Sequence, residues 1–262
     1  MASFSATEYV TSIPRVSSEL PNFSEIAGER LVADGCVLLG GIFDKTRVAG
    51  FLNVLRTGLK NTGAGTSKKD DSEGIYAARH VLRACPAIVD LWKVTSLKVF
   101  LRHVLGQSPG LVRALYFDKP PGRTWALPWH RDVTIAVANA LLTTGRFRMP
   151  TRKNGVHHLV APRDVLERML TLRIHLDPMT RENGSLAVVP GSHRSDDEAK
   201  GQAVAFALSE AGDVLAMRGL LLHASGRSYT RRCFVVRSLH LGFAADPAPG
   251  DGYEWNTFHL IS

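Results

Sequence analysis

The sequence predicts a mainly β fold in which a layer of N-terminal helices packs on a double-sheet core within one domain. Three observations point there. Apolar residues spaced for one helical face dominate the chain before residue 110. From 110 to 244 short apolar runs separated by turn residues take over, as in a sandwich or barrel. A length of 262 residues, with 45% apolar and 21% charged residues, suits a globular chain and excludes a disordered or coiled-coil one.

Taken in order, residues 1–22 are rich in Ser, Thr and Pro and read as an N-terminal arm. Ser24 caps a helix that runs to about Asp34, where Gly35 stops it. Residues 36–39 form a short buried strand. Asp44 opens a second helix whose Val48, Phe51, Leu52 and Leu55 share one face. The stretch 61–74, NTGAGTSKKDDSEG, is small, polar and glycine-rich and reads as a mobile surface loop. Helical patterns follow at 75–94 and 96–105, closing a mainly helical layer over 1–109. Within the β core, 110–244, the apolar runs are 111–117, 133–137, 170–176, 186–189, 213–217, 219–223 and 233–243. A lid-like insertion, 139–162, interrupts them, and a short helix spans 163–169. Asn183-Gly184 and Pro190-Gly191 mark two turns, so the block around them reads mainly as scaffold.

Lys and Arg number 32 against 24 Asp and Glu, a net charge of +8 carried mostly by arginine. The arginines are scattered, which argues against a nucleic-acid partner and for a small-molecule substrate. Arginine's match to carboxylate and phosphate favours an acidic one. Cys36, Cys85 and Cys233 lie far apart without a CxxC, so neither a disulfide framework nor a zinc ribbon is expected, and a cytoplasmic setting is. No apolar run is long enough for a membrane span, and the first twenty residues do not read as a secretory leader. Oligomeric state is not legible.

The chemistry concentrates in Trp129-His130-Arg131-Asp132. On an extended chain His130 and Asp132, two apart, project from one face. An imidazole and a carboxylate on one face, completed by a distant histidine, hold Fe(II) and leave three positions open for a cosubstrate and O2. His223 is the candidate third ligand, because it ends the apolar run Leu220-Leu221-Leu222 and enters the turn Ala224-Ser225-Gly226. HxD alone is a weak signal, and a satisfied core histidine explains His223 as well. Further on, Arg237 sits in the apolar run FVVRSLHL, where a charge is costly without an anion. The far carboxylate of 2-oxoglutarate is such an anion. That makes Arg237 the candidate anchor, with Arg232 and Arg231 as the other choices.

These motifs resemble the phytanoyl-CoA dioxygenase family of Fe(II)/2-oxoglutarate oxygenases, in its small secondary-metabolism form. The matching stretches are FDKPPGRTWALPWHRDVTIAV (117–137), LERMLTLRIHLDPMTRENGSLAVVPGSHR (166–194), and MRGLLLHASG with VRSLHLGFA within 217–244. The resemblance covers roughly residues 20–258. It implies a double-stranded β-helix, the cupin-like jelly roll, with His130, Asp132 and His223 on the family's metal triad and Arg237 close to its 2-oxoglutarate arginine. The sequence departs from the family at Arg131, where glutamine is usual, and in the stretch after His223.

Other candidates surround this site. Arg173, in LTLRIHL, shares a strand face with His175 and, if buried, needs an anion: an acidic substrate or a structural partner. Trp129 is a candidate wall of the metal pocket and His158 of the substrate pocket. Together these expectations describe an oxygenase that hydroxylates, desaturates, epoxidises or rearranges a small, natural-product-like molecule, releasing succinate and CO2. A cupin-like hydrolase or isomerase using another metal, and a non-catalytic jelly-roll binding protein, are the alternatives.

Overall fold

A computed structural model describes residues 10–60, 67–69, 75–119, 126–139, 145–196, 202–226 and 236–261. The first part of the chain alternates strands and helices: β1 (Val10–Ser12), β2 (Arg15–Ser17), α1 (Phe23–Asp34), β3 (Cys36–Gly40), α2 (Lys45–Lys60), β4 (Ser67–Lys69), β5 (Ile75–Ala78), α3 (Val81–Ala84), α4 (Ile88–Leu91) and α5 (Thr95–Leu105). Strands then dominate: β6 (Gly110–Lys119), β7 (Leu127–His130), β8 (Thr134–Val137), β9 (Arg148–Lys153) and β10 (Val156–Val160). After α6 (Arg163–Glu167) come β11 (Met169–His175), β12 (Leu186–Val188), β13 (Val204–Phe206), β14 (Val214–Met217), β15 (His223–Ser225), β16 (Val236–Ala244) and β17 (His259–Leu260).

Two sheets face each other. The larger runs β2-β3-β14-β11-β16-β6-β5-β4, with β17 also paired to β6, and the smaller runs β1-β13-β12-β15-β7. The chain crosses between them in the double-stranded β-helix pattern, so the jelly-roll expectation holds. Helices α1, α2 and α5 cover the outer face of the larger sheet. Leu31, Phe51, Leu55, Leu59 and Phe100 pack there on Leu172, Ile174, Leu239, Leu241 and Phe243, each burial contributing roughly 1.5–3 kcal/mol. Strand alternation then sends the other set of side chains, Thr171, Arg173, Ser238 and His240 among them, into the space between the sheets.

Local chemistry explains the boundaries. Gly35 ends α1 at φ 77°, its N–H donating to the Leu31 carbonyl at 3.0 Å. The Asp44 carboxylate accepts the Arg47 N–H at 2.7 Å and caps α2, as its sequence position predicts. The first helix, by contrast, starts at Phe23, so Ser24 lies inside it rather than at its cap.

The stretch 75–94 corrects the sequence expectation of one helix. Ile75–Ala78 pairs with β6 as a strand, His80 takes a left-handed conformation at φ 56°, and two four-residue helices follow. Pro86 separates those helices, and Cys85 before it leaves the helical region. The N-terminal layer is therefore mixed, with β1, β2, β3 and β5 contributing to both sheets.

In the insertion, 145–162 is not an uncovered loop. There β9 and β10 form a hairpin that joins β8 in a separate three-stranded sheet, order β8-β10-β9, with β9 outermost and largely exposed. Leu159 and Phe147 from this segment are buried against Ile135, Val137 and Tyr253. Of the run 219–223, only His223 belongs to a strand. Among the described residues, no helix is long and apolar enough to cross a membrane.

Candidate metal centre

His130 ends β7, Asp132 follows it, and His223 starts β15, directly opposite His130 in the antiparallel register. One ligand atom from each lies within 4.8 Å of the others, and the imidazole centroids are 4.2 Å apart. The carbonyl of Pro128 accepts from His130 Nδ1 at 2.7 Å, and that of Leu221 accepts from His223 Nδ1 at 2.8 Å. A carbonyl cannot donate, so Nδ1 carries a proton on both rings, and the neutral tautomer this selects has its lone pair on Nε2. Burial holds His223 below the usual imidazole range, which favours this neutral form.

Backbone contacts fix the carboxylate. The Asp132 N–H donates to the Gly219 carbonyl at 2.8 Å. Arg131, between two ligands, reaches the opposite way. Its Nε donates to the Leu220 carbonyl at 2.9 Å, and its Nη2 donates to the carbonyls of Ser192 and Ser195. The glycine-serine-histidine block thus clamps the metal motif from outside. Asn183, buried, holds the preceding turn by accepting the Thr180 N–H at 2.8 Å and donating to the Pro178 carbonyl, in keeping with a scaffold role for that block.

The triad opens onto a cavity of about 100 Å³ lined also by Leu115, Phe117, Lys119, Arg173, Ser238 and His240. Arg173 is 6% exposed, and its buried Nε has no hydrogen-bond partner. Among the described residues no carboxylate pairs with it, and burial brings its pKa down to about 10, so it stays charged at neutral pH. Lys119, from β6, donates to Ser225 Oγ at 3.3 Å. Burial first, and then Arg173, lower its pKa to about 8. His240, half-buried and paired across the strands with Arg173, is held well below the imidazole range by desolvation first and then by Arg173, and stays neutral. The cavity therefore sets two cations against the single carboxylate of Asp132.

Arg237 does not join them. It shares strand parity with Leu239 and Leu241, so it points to the helix-covered face, while its neighbours Val236 and Ser238 line the metal cavity. Its Nε and Nη2 donate to the two oxygens of Asp177 at 2.8 and 2.7 Å, and its N–H donates to the same carboxylate at 2.9 Å. The charge does find an anion, but one from its own chain. Arg232 and Arg231 lie outside the described residues. Trp129, half-buried, is not among the residues that line the metal cavity. His158 is buried, yet it lines a neighbouring cavity rather than this one. Lys119 escaped the sequence reading, although it shares β6 parity with Leu115 and Phe117.

A family profile described as phytanoyl-CoA dioxygenase matches residues 31–233, most of the chain. The chain belongs to the phytanoyl-CoA dioxygenase family. Solved structures share the fold. AviO1 from Streptomyces viridochromogenes Tue57 is 21% identical over 86% of this chain and 96% of its own, with a TM-score of 0.61. EctD from S. alaskensis, solved with 2-oxoglutarate and 5-hydroxyectoine, is 20% identical over 83% of this chain and 74% of its own, with a TM-score of 0.63. The non-heme alpha ketoglutarate dependent carbocyclase SnoK from nogalamycin biosynthesis is 15% identical over 92% of this chain and 97% of its own, with a TM-score of 0.64. A search of curated proteins finds no match. Within the phytanoyl-CoA dioxygenase family, this member has a triad of two imidazoles and a carboxylate beside a guanidinium whose buried Nε has no partner among the described residues.

Proposed function

We propose that this family member is an Fe(II)- and 2-oxoglutarate-dependent oxygenase of a small organic, natural-product-like molecule. One observation carries the reading: a His130–Asp132–His223 triad shares a cavity with Arg173, a buried cation that has no anion among the described residues. Two neutral imidazoles and one carboxylate suit Fe(II) and leave positions open on the metal. With 2-oxoglutarate bound, iron supplies the oxidation of an unactivated carbon by O2, releasing succinate and CO2.

The chain's own residues would set the rest. His130, Asp132 and His223 would hold the metal, oriented by Pro128, Gly219 and Leu221 through their carbonyls. Arg173, with Lys119 nearby, would take the far carboxylate of 2-oxoglutarate, the part the sequence assigns to Arg237. A dianion offsets the cavity's cationic excess, and a guanidinium pairs with a carboxylate through two parallel hydrogen bonds. Leu115 and Phe117 would keep water from the reacting carbon. Buried, unpaired Cys36 and Cys85 suit a cytoplasmic enzyme.

The test is anaerobic titration with Fe(II) and 2-oxoglutarate, following the visible metal-to-ligand charge-transfer band of the chelate. The wild type should show the band, and His223→Ala should lose it. Metal binding without any band would overturn the reading in favour of a cupin-like hydrolase or isomerase, or of a binding protein.

A further inference from the structure

A second cavity, of about 330 Å³, abuts the metal site, with Leu115 forming a wall of both. It lies where β5, α3, β6 and the β8–β10 sheet meet. Arg79, Arg83 and Arg113 line it together with His80, His158 and Asn154, and no Asp or Glu does. Three arginines therefore border one cavity whose described lining holds no carboxylate to offset them. Arg113 makes one long hydrogen bond, to the Thr134 carbonyl at 3.5 Å, and no ion pair of Arg79, Arg83 or Arg113 occurs among the described residues.

The histidines add no countercharge, and His158 spends its single N–H on the chain, so the arginines are the donors available to an anion. His158 is 4% exposed, and its Nδ1 donates to the Val156 carbonyl at 3.1 Å. Burial, reinforced by Lys153, Arg113 and Arg79, brings its pKa down to about 4, so it is neutral. His80, strained at φ 56° ahead of α3, has a buried Nε2 without a partner. Arg79 and Arg83 reach solvent while Arg113 is half-buried, and an anion between them would offset their mutual repulsion through the bidentate contacts arginine makes.

We propose that this cavity binds the anionic group, carboxylate or phosphate, of the substrate whose reacting carbon sits at the metal. Arg113 lies on the same face of β6 as Leu115, two residues away, which sets the anion roughly 7 Å along the strand from the wall of the metal cavity. The substrate is thus an elongated acid or phosphate ester with an oxidisable carbon several bonds from its charge. The catalytic meaning of this site rests on the oxygenase reading, but the anion binding does not.

Calorimetric titration of the whole protein with hexanoate, hexyl phosphate and hexanol tests it without iron. Hexanoate or hexyl phosphate should bind at least tenfold more tightly than hexanol, and the stronger of the two identifies the charged group. Arg79→Gln, at an exposed position that tolerates substitution, and Arg113→Gln should each weaken that binding about tenfold. Arg173→Gln should leave it unchanged, and 2-oxoglutarate should not displace the ligand. Equal affinity for hexanol, indifference to both cavity substitutions, or displacement by 2-oxoglutarate would each overturn the assignment. Loss of the charge-transfer band with anion binding intact would instead count against the oxygenase reading alone.

Discussion

Gly219 touches Asp132 twice over: its carbonyl accepts the Asp132 N–H at 2.8 Å, and a Cβ placed on Gly219 would lie 2.9 Å from the Asp132 carbonyl oxygen. The obstacle is backbone, which cannot swing aside as a side chain does. The triad's carboxylate residue is therefore located by the absence of a side chain on the residue that receives its hydrogen bond. Gly219→Ala should push Asp132 off the triad and weaken Fe(II) or Co(II) binding by roughly 10–100-fold. Metal titration against thermal unfolding separates the two effects, and an unchanged metal affinity would refute the relationship.

The two arginines on neighbouring strands should behave oppositely. Arg173→Gln is expected to weaken 2-oxoglutarate binding while metal affinity stays near wild type. Arg237→Gln should leave cosubstrate binding alone and lower stability by about 1.5–3 kcal/mol, from the lost charged hydrogen bonds to Asp177. Cosubstrate titration and denaturant unfolding of both variants give the comparison. A loss of 2-oxoglutarate affinity in the Arg237 variant would reverse the assignment.

Lys119 predicts a pH dependence. Its pKa is pulled from the ordinary lysine value down to about 8, so the folded protein loses this charge as pH rises through about 8. The carboxylates of 2-oxoglutarate stay ionised over that range, so their affinity should fall between pH 7 and 9, by up to ~10-fold. Lys119→Met should flatten the profile. For folding the sign is opposite: the unfolded chain binds the proton more tightly, so this lysine makes the fold more stable as pH rises from about 8 towards 10.5. A profile identical in wild type and Lys119→Met would exclude the effect.

Asp213 should be the most sensitive surface-to-core junction. Almost completely buried, it accepts Arg15 Nε and Nη2 at 3.0 and 2.9 Å, the Gly41 N–H at 2.9 Å and the Glu210 N–H at 3.2 Å. It thereby ties β2 and the end of β3 to the approach to β14. Asp213→Ala strands those donors and should cost roughly 2–4 kcal/mol. Urea unfolding would show it, and a cost below 1 kcal/mol would contradict the account.

Much of this was legible beforehand. His130 and Asp132 carry their signal locally, because two-residue spacing on an extended chain fixes a shared face. His223 was legible through the apolar run that delivers it. Arg237 was misplaced although the needed clue stood beside it. Leu239, Leu241 and Phe243 share its parity and face the helices, so Arg237 had to face them too. Its charge demanded an anion, but the sequence could not say that Asp177, from a distant turn, would supply it. Arg173 was read as needing an anion. That it has none among the described residues depends on every side chain around it, which no local pattern records. The helix expected over 75–94 failed because edge pairing with β6 outweighed an ambiguous apolar pattern.

The outermost strand of the small three-stranded sheet has one side unpaired. Its sequence, Arg148-Met149-Pro150-Thr151-Arg152-Lys153, places a residue with no N–H donor and three cations along that open side. A second copy approaching edge to edge would meet like charge and a missing donor. The hairpin can thus stand out from the core without becoming a template for aggregation, and neutralising its edge would be expected to cost solubility.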